Sequence, residues 1–443
     1  MNSKDFDVLI IGGGMVGASL ACALGELPLD VGLVESIPFG AAGQPSYDDR
    51  TTALSLGTRR IYEALGLWSS LALVAEPIRQ IHVSEQSRFG TSRMDAAEQG
   101  ADALGYVVEN RVLGQVLSGR LRELPRLRMI CPARFLSLAP PPSPSPASGG
   151  GDSLSLFPAS GGENPSAPSP VDGGGQGWGS YVEVRVEVEG IASILRAKLV
   201  IGADGANSQV RTALGIGTEI RDYGQTAIVS NVTPERDHGG MAYERFTPNG
   251  PIALLPMSER RCALVWTLPN QKVEAIKALP DAEFLVALNE AFGHRLGEFQ
   301  RVGKRISYPL QRVLSERLNA PRTLLIGNAA HSLHPVAGQG FNLGLRDVAV
   351  LAEVLADARA EDCGSDALIQ RYLDGRQEDQ AHVTQFTDGL VRLFSNRVPG
   401  LATFRHLGIV GLDLLPPLKA RFTRRSMGMV GAPRLSRGLR LVD

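Results

Sequence analysis

The chain has 443 residues, 43% of them hydrophobic, which is enough for a large buried core in about three domain-sized units. Its formal net charge of -1 argues against a general nucleic-acid binder, and its four cysteines form neither a C-x-x-C pair nor a metal-ligand cluster. We therefore expect a cytoplasmic protein with reduced thiols and no metal, without a signal peptide and without the roughly 18-residue apolar run of a membrane span.

The first predicted element is a dinucleotide cradle near the N-terminus. A short apolar strand at 7–11 is followed by Gly12, Gly14 and Gly17 in G-x-G-x-x-G spacing. In this motif the first glycine permits a tight turn, the second lets a pyrophosphate approach the backbone, and the third lets the next helix pack on the strand. A second apolar strand ends in Glu35, about 20 residues beyond the glycines, where a carboxylate can accept hydrogen bonds from a ribose. The complete pattern predicts dinucleotide binding.

Two arginines at predicted helix starts are candidate contacts for the cofactor. The spacing of apolar residues over 51–65 predicts a helix that ends at Gly66, with Arg50 at its start. A second helix is predicted over 109–124, with Arg111 on its first turn. The apolar stripes of both helices belong to the core, whereas a guanidinium group suits a pyrophosphate or a flavin. A solvated charge is the simpler alternative for Arg50.

The composition changes abruptly between Ala139 and Gly177, where 26 of 39 residues are Pro, Gly or Ser. Such a segment buries too little apolar surface to offset the entropy of ordering it. We predict a disordered, low-complexity loop between two strands. A proline-rich ligand for a protein partner is the alternative.

A β-hairpin and a second box of glycine and acid are predicted after the insert. Valine alternates with charged residues over 181–188, as in a half-buried strand, and 194–199 is its partner. The next apolar run ends in Asp204 and Gly205, so the Asp204 carboxylate should reach a ligand that lies over the first sheet.

Residues 217–305 have the pattern of a mixed or antiparallel β domain. Strands are predicted at 228–232, 252–256 and 262–268, and a helix at 280–292. This half shows no recognisable catalytic triad or metal site.

The third box is a strand that leads into a glycine-rich turn and a helix. The strand ends at Gly327 and Asn328, the turn contains Gly338 and Gly340, and an apolar-faced helix follows from about Asn342. Glycines just before a helix bring its first amides close to a ligand and create a site for negative charge. The histidines of this box lack a third ligand at metal spacing, so zinc is not expected.

The three boxes together resemble the aromatic-ring hydroxylases, the class A flavin monooxygenases, over nearly the whole chain apart from the insert. The stretches 48–55 (DDRTTALS) and 333–347 (LHPVAGQGFNLGLRD) are most similar to the ubiquinone-biosynthesis hydroxylases of prenylated methoxyphenols. The resemblance implies an α/β fold: a Rossmann-like FAD-binding domain, an inserted mixed-sheet substrate domain and a helical C-terminal tail. The implied division is 1–77, 105–215 and 310–380 for the FAD-binding domain, with 139–177 as its disordered insert, 78–104 and 216–309 for the substrate domain, and 381–443 for the tail.

The resemblance also implies which residues hold FAD. Glu35 would bind the adenosine ribose, Arg50 and Arg111 would contact the cofactor, and Asp204 would lie beside the pyrophosphate and the nicotinamide route. The implied cofactor-binding residues are Gly12, Gly14, Gly17, Glu35, Arg50, Arg111, Asp204, Gly205, Gly327, Asn328, Gly340, Phe341 and Asn342. The implied catalytic positions at the flavin ring are Pro335, Gly338, Gln339 and Gly340. The family usually has Gly-Asp in the third box; here Asn328 replaces the acid and can still hydrogen-bond a ribityl hydroxyl.

The implied activity is hydroxylation of a prenylated phenol in ubiquinone biosynthesis, with FAD, NAD(P)H or another reductant, and dioxygen, through a flavin hydroperoxide. Because the cofactor performs the difficult step, no catalytic His or Cys is expected. One alternative is another FAD oxidoreductase of the isoprenoid reductase type, and a second is a non-catalytic flavin-binding subunit of a quinone-biosynthesis assembly. A plain NAD dehydrogenase leaves the second and third boxes unexplained.

The last stretch is basic: from Val391 onward ten Lys or Arg residues stand against Asp413 and Asp443, with apolar residues between them. A basic, partly amphipathic end can bind the inner face of an anionic membrane or a protein partner. Helices that pack on the FAD-binding domain are the alternative.

Overall fold

The computed structural model describes residues 4–39, 41, 50–86, 91–139, 180–334, 338–358, 362–395, 416–428 and 433–441. The strands in these residues are β1 (Lys4–Ile11), β2 (Val31–Val34), β3 (Thr51–Ser55), β4 (Glu76–Ile78), β5 (Gln80–Glu85), β6 (Thr91–Asp95), β7 (Gly105–Glu109), β8 (Leu127–Ile130), β9 (Ala133–Ala139), β10 (Val182–Val188), β11 (Ile191–Gly202), β12 (Thr218–Pro234), β13 (Met241–Thr247), β14 (Gly250–Pro256), β15 (Cys262–Pro269), β16 (Phe299–Val302), β17 (Ile306–Ser315), β18 (Asn319–Ala320), β19 (Thr323–Leu325) and β20 (His331–Ser332). The helices are α1 (Met15–Leu24), α2 (Leu56–Ala64), α3 (Trp68–Leu71), α4 (Asn110–Glu123), α5 (Gln209–Ala213), α6 (Asn270–Lys277), α7 (Asp281–Phe292), α8 (Gln339–Ala358), α9 (Asp366–Ser395) and α10 (Pro416–Ser426).

The first sheet has a parallel centre and two apolar faces. Its order is β18-β19-β11-β1-β2-β8, and the β9–β10 hairpin extends it from β11. Val8 and Ile10 of β1 pack against α1, α4 and α8, whereas Leu9 and Ile11 pack in a second core that includes β10. A strand covered on both faces needs a continuous apolar run, which is why the sequence of β1 shows no alternation.

The second sheet is mainly antiparallel and runs β20-β17-β12-β15-β14-β13-β5-β6, with β16 paired to β12. Along β14, Ile252 and Leu254 pack in a core with Phe284 and Leu288 of α7. Because side chains alternate along a strand, the residues between them, such as Ala253, face the other way, toward a cavity that also includes residues of the first half of the fold.

The helix predicted over 51–65 is wrong in its first part. Residues 51–55 form β3, which pairs antiparallel with β7, and α2 begins at Leu56 after Ser55, whose Oγ accepts a hydrogen bond from the Thr58 amide (3.2 Å). The apolar spacing over these few residues fits a strand as well as a helix, and the pairing with β7 favours the strand. Ser55 is then a favourable N-cap for α2. Arg50 therefore precedes a strand, not a helix.

Two predicted boundaries also need correction. β17 stays in the second sheet to Ser315, beyond the predicted limit at 309, because its pairing with β12 continues to Thr218. Ala139 belongs to β9, where it pairs with Glu183 of β10, so the predicted insert cannot begin there. Residues 140–177 of that insert lie outside the described residues.

Helix α9 contacts both halves of the fold. In its first half Arg376 donates from Nε to Asp347 Oδ1 of α8 at 2.8 Å. Three turns later Asp388 accepts hydrogen bonds from Arg221 Nη1 (3.1 Å) and the Tyr223 hydroxyl (3.0 Å), both on β12. The helix thus connects the α8 layer with the second sheet.

The described part of the basic tail packs on the rest of the chain at several charged positions. Lys419 Nζ lies 3.2 Å from Glu98 Oε2, and Arg434 pairs with Glu353 and Asp357 of α8. Arg421 and Arg424 are exposed, and 396–415 lie outside the described residues. Among the described helices, none combines the length and apolar character that a membrane crossing requires.

Candidate active site

The predicted boxes meet at one edge of the first sheet. β1, β2, β11 and β19 are parallel, and their registers place Ile11 beside both Val34 and Gly202, and Gly202 beside Leu325. The chain leaves this edge at Gly12, Glu35, Ala203 and Ile326. Since open α/β sheets bind ligands at the carboxyl ends of their strands, this edge is the expected dinucleotide site.

The glycine turn at this edge leaves no room for side chains. Gly12 has φ +103°, and a Cβ there would lie 2.6 Å from the carbonyl oxygen of Ala203. A Cβ on Gly17 would collide with the carbonyl oxygen of Gly12. Gly14 is the N-cap of α1 and offers no side-chain cap, and the first turn of that helix carries no acid. The amides at the start of α1 therefore suit the negatively charged pyrophosphate of FAD.

Glu35 supports this turn from the next strand. Its carboxylate is buried and accepts hydrogen bonds from the Gly13 amide (2.6 Å, Oε2) and the Ile37 amide (2.8 Å, Oε1). A charged acceptor on a glycine amide fixes the conformation of the turn. The structure shows this positioning role, and the predicted contact with the ribose stays a prediction.

Asp204 lies beside the glycine turn, but its carboxylate has another function. A Cβ on Gly12 would lie 2.8 Å from the Asp204 Cα, so the two backbones are adjacent. The carboxylate accepts hydrogen bonds from the Ser208 hydroxyl (2.5 Å) and the Gln209 amide (2.7 Å) at the start of α5. Together with Gly205, which has φ +86°, it shapes the loop. Its predicted contact with the cofactor stays a prediction.

The third box lies against the first helix. Gly327 has φ +57°, and a Cβ there would lie 3.1 Å from Val16 of α1, so glycine permits close packing. Asn328 follows on a short 3₁₀ turn and is exposed, which leaves its amide accessible to a ligand. Pro335 lies outside the described residues, and α8 begins at Gln339, three residues before the predicted start.

Asn342 fixes the turn at Gly338. Its Nδ2 donates to the carbonyl oxygens of Ala53 (2.9 Å) and Gly338 (2.8 Å), and its Oδ1 accepts from the Ser55 amide (2.8 Å) and the Thr58 hydroxyl (2.7 Å). These bonds use both donors and both lone pairs of the buried amide. Its observed role is to join β3, α2 and the start of α8, and a contact with FAD stays a prediction.

We expect Asn342→Ala to lower the free energy of unfolding by about 1–3 kcal/mol, because it leaves buried backbone and hydroxyl groups without partners. FAD affinity should fall as well, since the Gly338 turn loses its support. Chemical denaturation and FAD fluorescence titration measure the two effects. The control is Asn270→Ala, which removes one exposed hydrogen bond to Thr226. Equal effects of both substitutions would contradict the role assigned to Asn342.

The two predicted arginines are neighbours. The Arg50 carbonyl accepts a hydrogen bond from the Asn110 amide (2.8 Å), the residue before Arg111. The Arg50 guanidinium lies over the Tyr308 ring at 4.8 Å, and the exposed Arg111 pairs with Glu109 at 3.3 Å. The structure thus brings the two arginines together, and their phosphate contacts stay predictions.

A buried charge network beneath the third box was missed by the sequence analysis. Asp347 of α8 is fully buried and accepts from the Gly327 amide (3.0 Å), His331 Nε2 (2.8 Å), Arg376 Nε (2.8 Å) and Gln380 Nε2 (3.0 Å). Burial alone would raise the pKa of this carboxyl, but the nearby charges of His331 and Arg376 hold it well below its usual range. The available signal was the adjacent charged pair Arg346 and Asp347 within the otherwise apolar run 343–352 of α8.

A cavity of about 140 Å³ lies between the Gly338 turn and the second sheet. Ala53 and Gly338 line it from the side of the predicted FAD site. The second sheet and its flank contribute mostly apolar residues, namely Ile78, Ile81, Ala242, Tyr243, Glu244, Pro251, Ala253, Leu255, Val265 and Thr267. Glu244 is the acidic residue in this lining, and the sequence analysis did not identify it because strand alternation alone does not show which face borders a ligand.

Comparisons with known proteins agree with this geometry. A family model described as an FAD binding domain matches residues 177–387. The ubiquinone hydroxylase UbiL of Rhodospirillum rubrum is 39% identical, over 99% of this chain and 94% of that protein. The 3-demethoxyubiquinol 3-hydroxylase of Escherichia coli is 32% identical, over 97% of this chain and all of that protein (100%).

The fold is also similar to that of a solved structure, the p-nitrophenol 4-monooxygenase PnpA of Pseudomonas putida. The TM-score is 0.73 at 18% identity, over 96% of this chain and 99% of that one. The predicted fold class and the FAD cofactor are confirmed. The similarity to the two hydroxylases extends over almost their full lengths. The chain therefore belongs to the ubiquinone-biosynthesis hydroxylase family of class A, FAD-dependent monooxygenases.

Proposed function

We propose that the protein adds a hydroxyl group to the aromatic ring of a prenylated phenol in ubiquinone biosynthesis. The observation that carries the proposal is the apolar cavity beside Gly338, a turn that the family resemblance implies at the flavin ring. Two relatives are named ubiquinone hydroxylase and 3-demethoxyubiquinol 3-hydroxylase, and a demethoxyubiquinol is a prenylated phenol.

The size of the cavity suits one ring. Its volume of about 140 Å³ is close to that of an apolar protein cavity of about 150 Å³ that binds benzene. The small side chains of Ala53, Ala242 and Ala253, with Gly338, leave this space open. A prenyl chain attached to the ring has to extend beyond these walls.

In this proposal the residues of the chain bind and orient the phenol and exclude water. FAD, when bound, supplies the activation of dioxygen, and NAD(P)H or another reductant supplies the electrons. The amides at the start of α1 hold the pyrophosphate, the turn held by Asn342 borders the ring, and the second sheet acts as the substrate domain. The oxygen-transfer route predicted from the sequence stays a prediction, as does a membrane contact of Arg421 and Arg424.

An isotope experiment tests the reaction. The FAD-loaded protein is incubated with an alkyl-substituted methoxyphenol and a reductant under labelled dioxygen, and the product is analysed by mass spectrometry. We expect one labelled oxygen in the phenol, because a phenol ring is rich in electrons and the cavity orders it near the cofactor. A parallel reaction without phenol measures uncoupled peroxide. Label found in water or peroxide alone, for every phenol tried, would favour an FAD reductase or a flavin-binding subunit.

A further inference from the structure

Glu244 faces the cavity from the middle of the second sheet. On β13 it pairs with Ala253 of β14 and with Val83 of β5. Its chain neighbour Tyr243 packs its ring at 5.6 Å from Phe292, in the core on the other face of the sheet. The side chain of Glu244 is therefore directed to the same space as Ala253, where a ring bound beside Gly338 would lie.

The surroundings of Glu244 carry no compensating charge among the described residues. β14 and β15 present Pro251, Ala253, Leu255, Val265 and Thr267 to the cavity, β5 presents Ile81, and Ala53 and Gly338 close it from the other side. None of these side chains is charged, and Tyr243 is the other titratable group in the lining. Desolvation by this apolar wall raises the pKa of Glu244 to about 7.

We propose that Glu244 binds the hydroxyl group of the phenol substrate and accepts its proton during hydroxylation. This assignment rests on the proposed function. A carboxyl group without a charged partner in an apolar cavity lowers the free energy of unfolding. Alanine or leucine at this position would make the protein more stable. A carboxylate with a raised affinity for protons is a stronger base than an ordinary one and exchanges protons near neutral pH.

The proton transfer balances with the reactants of the proposed hydroxylation. The O–H bond of the phenol breaks, an O–H bond forms on the Glu244 carboxylate, and the negative charge passes to the phenol oxygen and into the ring. The ring carbons ortho and para to this oxygen then react more readily with an electrophilic oxygen. Afterwards the attacked carbon releases its hydrogen as a proton to water, the electron pair of this C–H bond returns to the ring, and Glu244 returns its proton to the phenol oxygen. Dioxygen and the reductant of the hydroxylation supply oxygen and electrons.

The first test measures binding without turnover. 4-Nitrophenol is titrated into FAD-loaded protein in the absence of reductant, from about pH 5.5 to about pH 8.5, and difference absorbance reports its ionisation. In the wild type two negative charges repel at high pH, so affinity should fall as pH rises through 7. Glu244→Gln removes this repulsion and should bind the phenolate about tenfold more tightly at the alkaline end. Glu283→Gln, an exposed position on α7, is the matched control and should follow the wild type.

The second test is the pH profile of kcat/KM with a methoxyphenol. The wild type should lose activity below about pH 7, where the Glu244 carboxylate becomes protonated; this decrease is the acid limb of the profile. Glu244→Gln should show no acid limb, and its kcat/KM should be about 10²-fold lower. A fluorinated, more acidic phenol should reduce the deficit, since it needs less help to ionise. Glu244→Asp keeps the carboxyl group and should retain the limb with an intermediate rate.

The outcomes separate the two proposals. If Glu244→Gln matches Glu283→Gln in both the titration and the pH profile, the role of Glu244 is refuted. If the wild type hydroxylates no phenol, the proposed function fails, while the nitrophenol titration still decides whether Glu244 senses a phenol. FAD fluorescence and thermal melting check that each variant is folded. If Glu244→Gln is not folded, Glu244→Asp decides the question.

Discussion

Asp347→Asn is expected to lower the free energy of unfolding by about 3–5 kcal/mol and to release most of the bound FAD. Asp347 is fully buried and is the common acceptor for His331, Arg376 and the Gly327 amide. An asparagine of the same size removes one of the two carboxylates that pair with the buried Arg376 charge, so that only Asp379 remains beside it. The asparagine also presents an NH₂ group where donors already point. Because Gly327 belongs to the third box, the effect reaches the cofactor site.

Urea denaturation and the ratio of flavin to protein absorbance measure the two losses. The control is Asp362→Asn, which removes a more exposed ion pair with Arg322 and should cost less than about 1 kcal/mol. Adding Arg376→Met to Asp347→Asn should recover part of the loss, since it removes a buried charge that has lost one of its two counterions. Losses of similar size for Asp347→Asn and Asp362→Asn would contradict the importance of the network.

The pH dependence of this effect has a defined sign. The pKa of Asp347 is held below the ordinary value of 3.8, so its contribution is complete above that value and is lost as the pH falls through the lower, folded-state pKa. The stability difference between the wild type and Asp347→Asn should therefore be constant at neutral pH and shrink in strong acid.

Gly17→Ala is expected to abolish retention of FAD during gel filtration. The new Cβ would collide with the carbonyl oxygen of Gly12, a backbone atom that moves only if the whole turn moves. Overpacking of this kind costs about 1–3 kcal/mol, and it also displaces the amides that would hold the pyrophosphate. The matched control is Gly119→Ala in α4, where a Cβ meets nothing within 4 Å and should stabilise the helix by about 1 kcal/mol. A Gly17→Ala protein that stays yellow would refute this account of the turn.

The parts of the site that are local in sequence could be predicted. The turn from Gly12 to Gly17 and the acid Glu35 belong to one strand–helix–strand unit. The spacing along the chain is therefore enough to predict that the acid lies beside the turn. The helix start at Arg50 could not be predicted correctly, because β3 depends on pairing with β7, more than 50 residues away. Asp347 and Glu244 were missed for the same reason: their roles come from partners or walls distant along the chain.

The connection made by α9 has a consequence for shortened forms of the protein. The helix holds Asp347 through Arg376 and the second sheet through Asp388, and the two contacts lie twelve residues apart on one rigid element. A chain that ends between Gln380 and Asp388 would keep all the glycine boxes and the buried network, yet it would lose the salt bridge with β12 and the contacts of the tail with α8. Even if such a fragment retained its colour, its substrate cavity would have lost a support, so flavin content alone is a poor guide to where the functional protein ends.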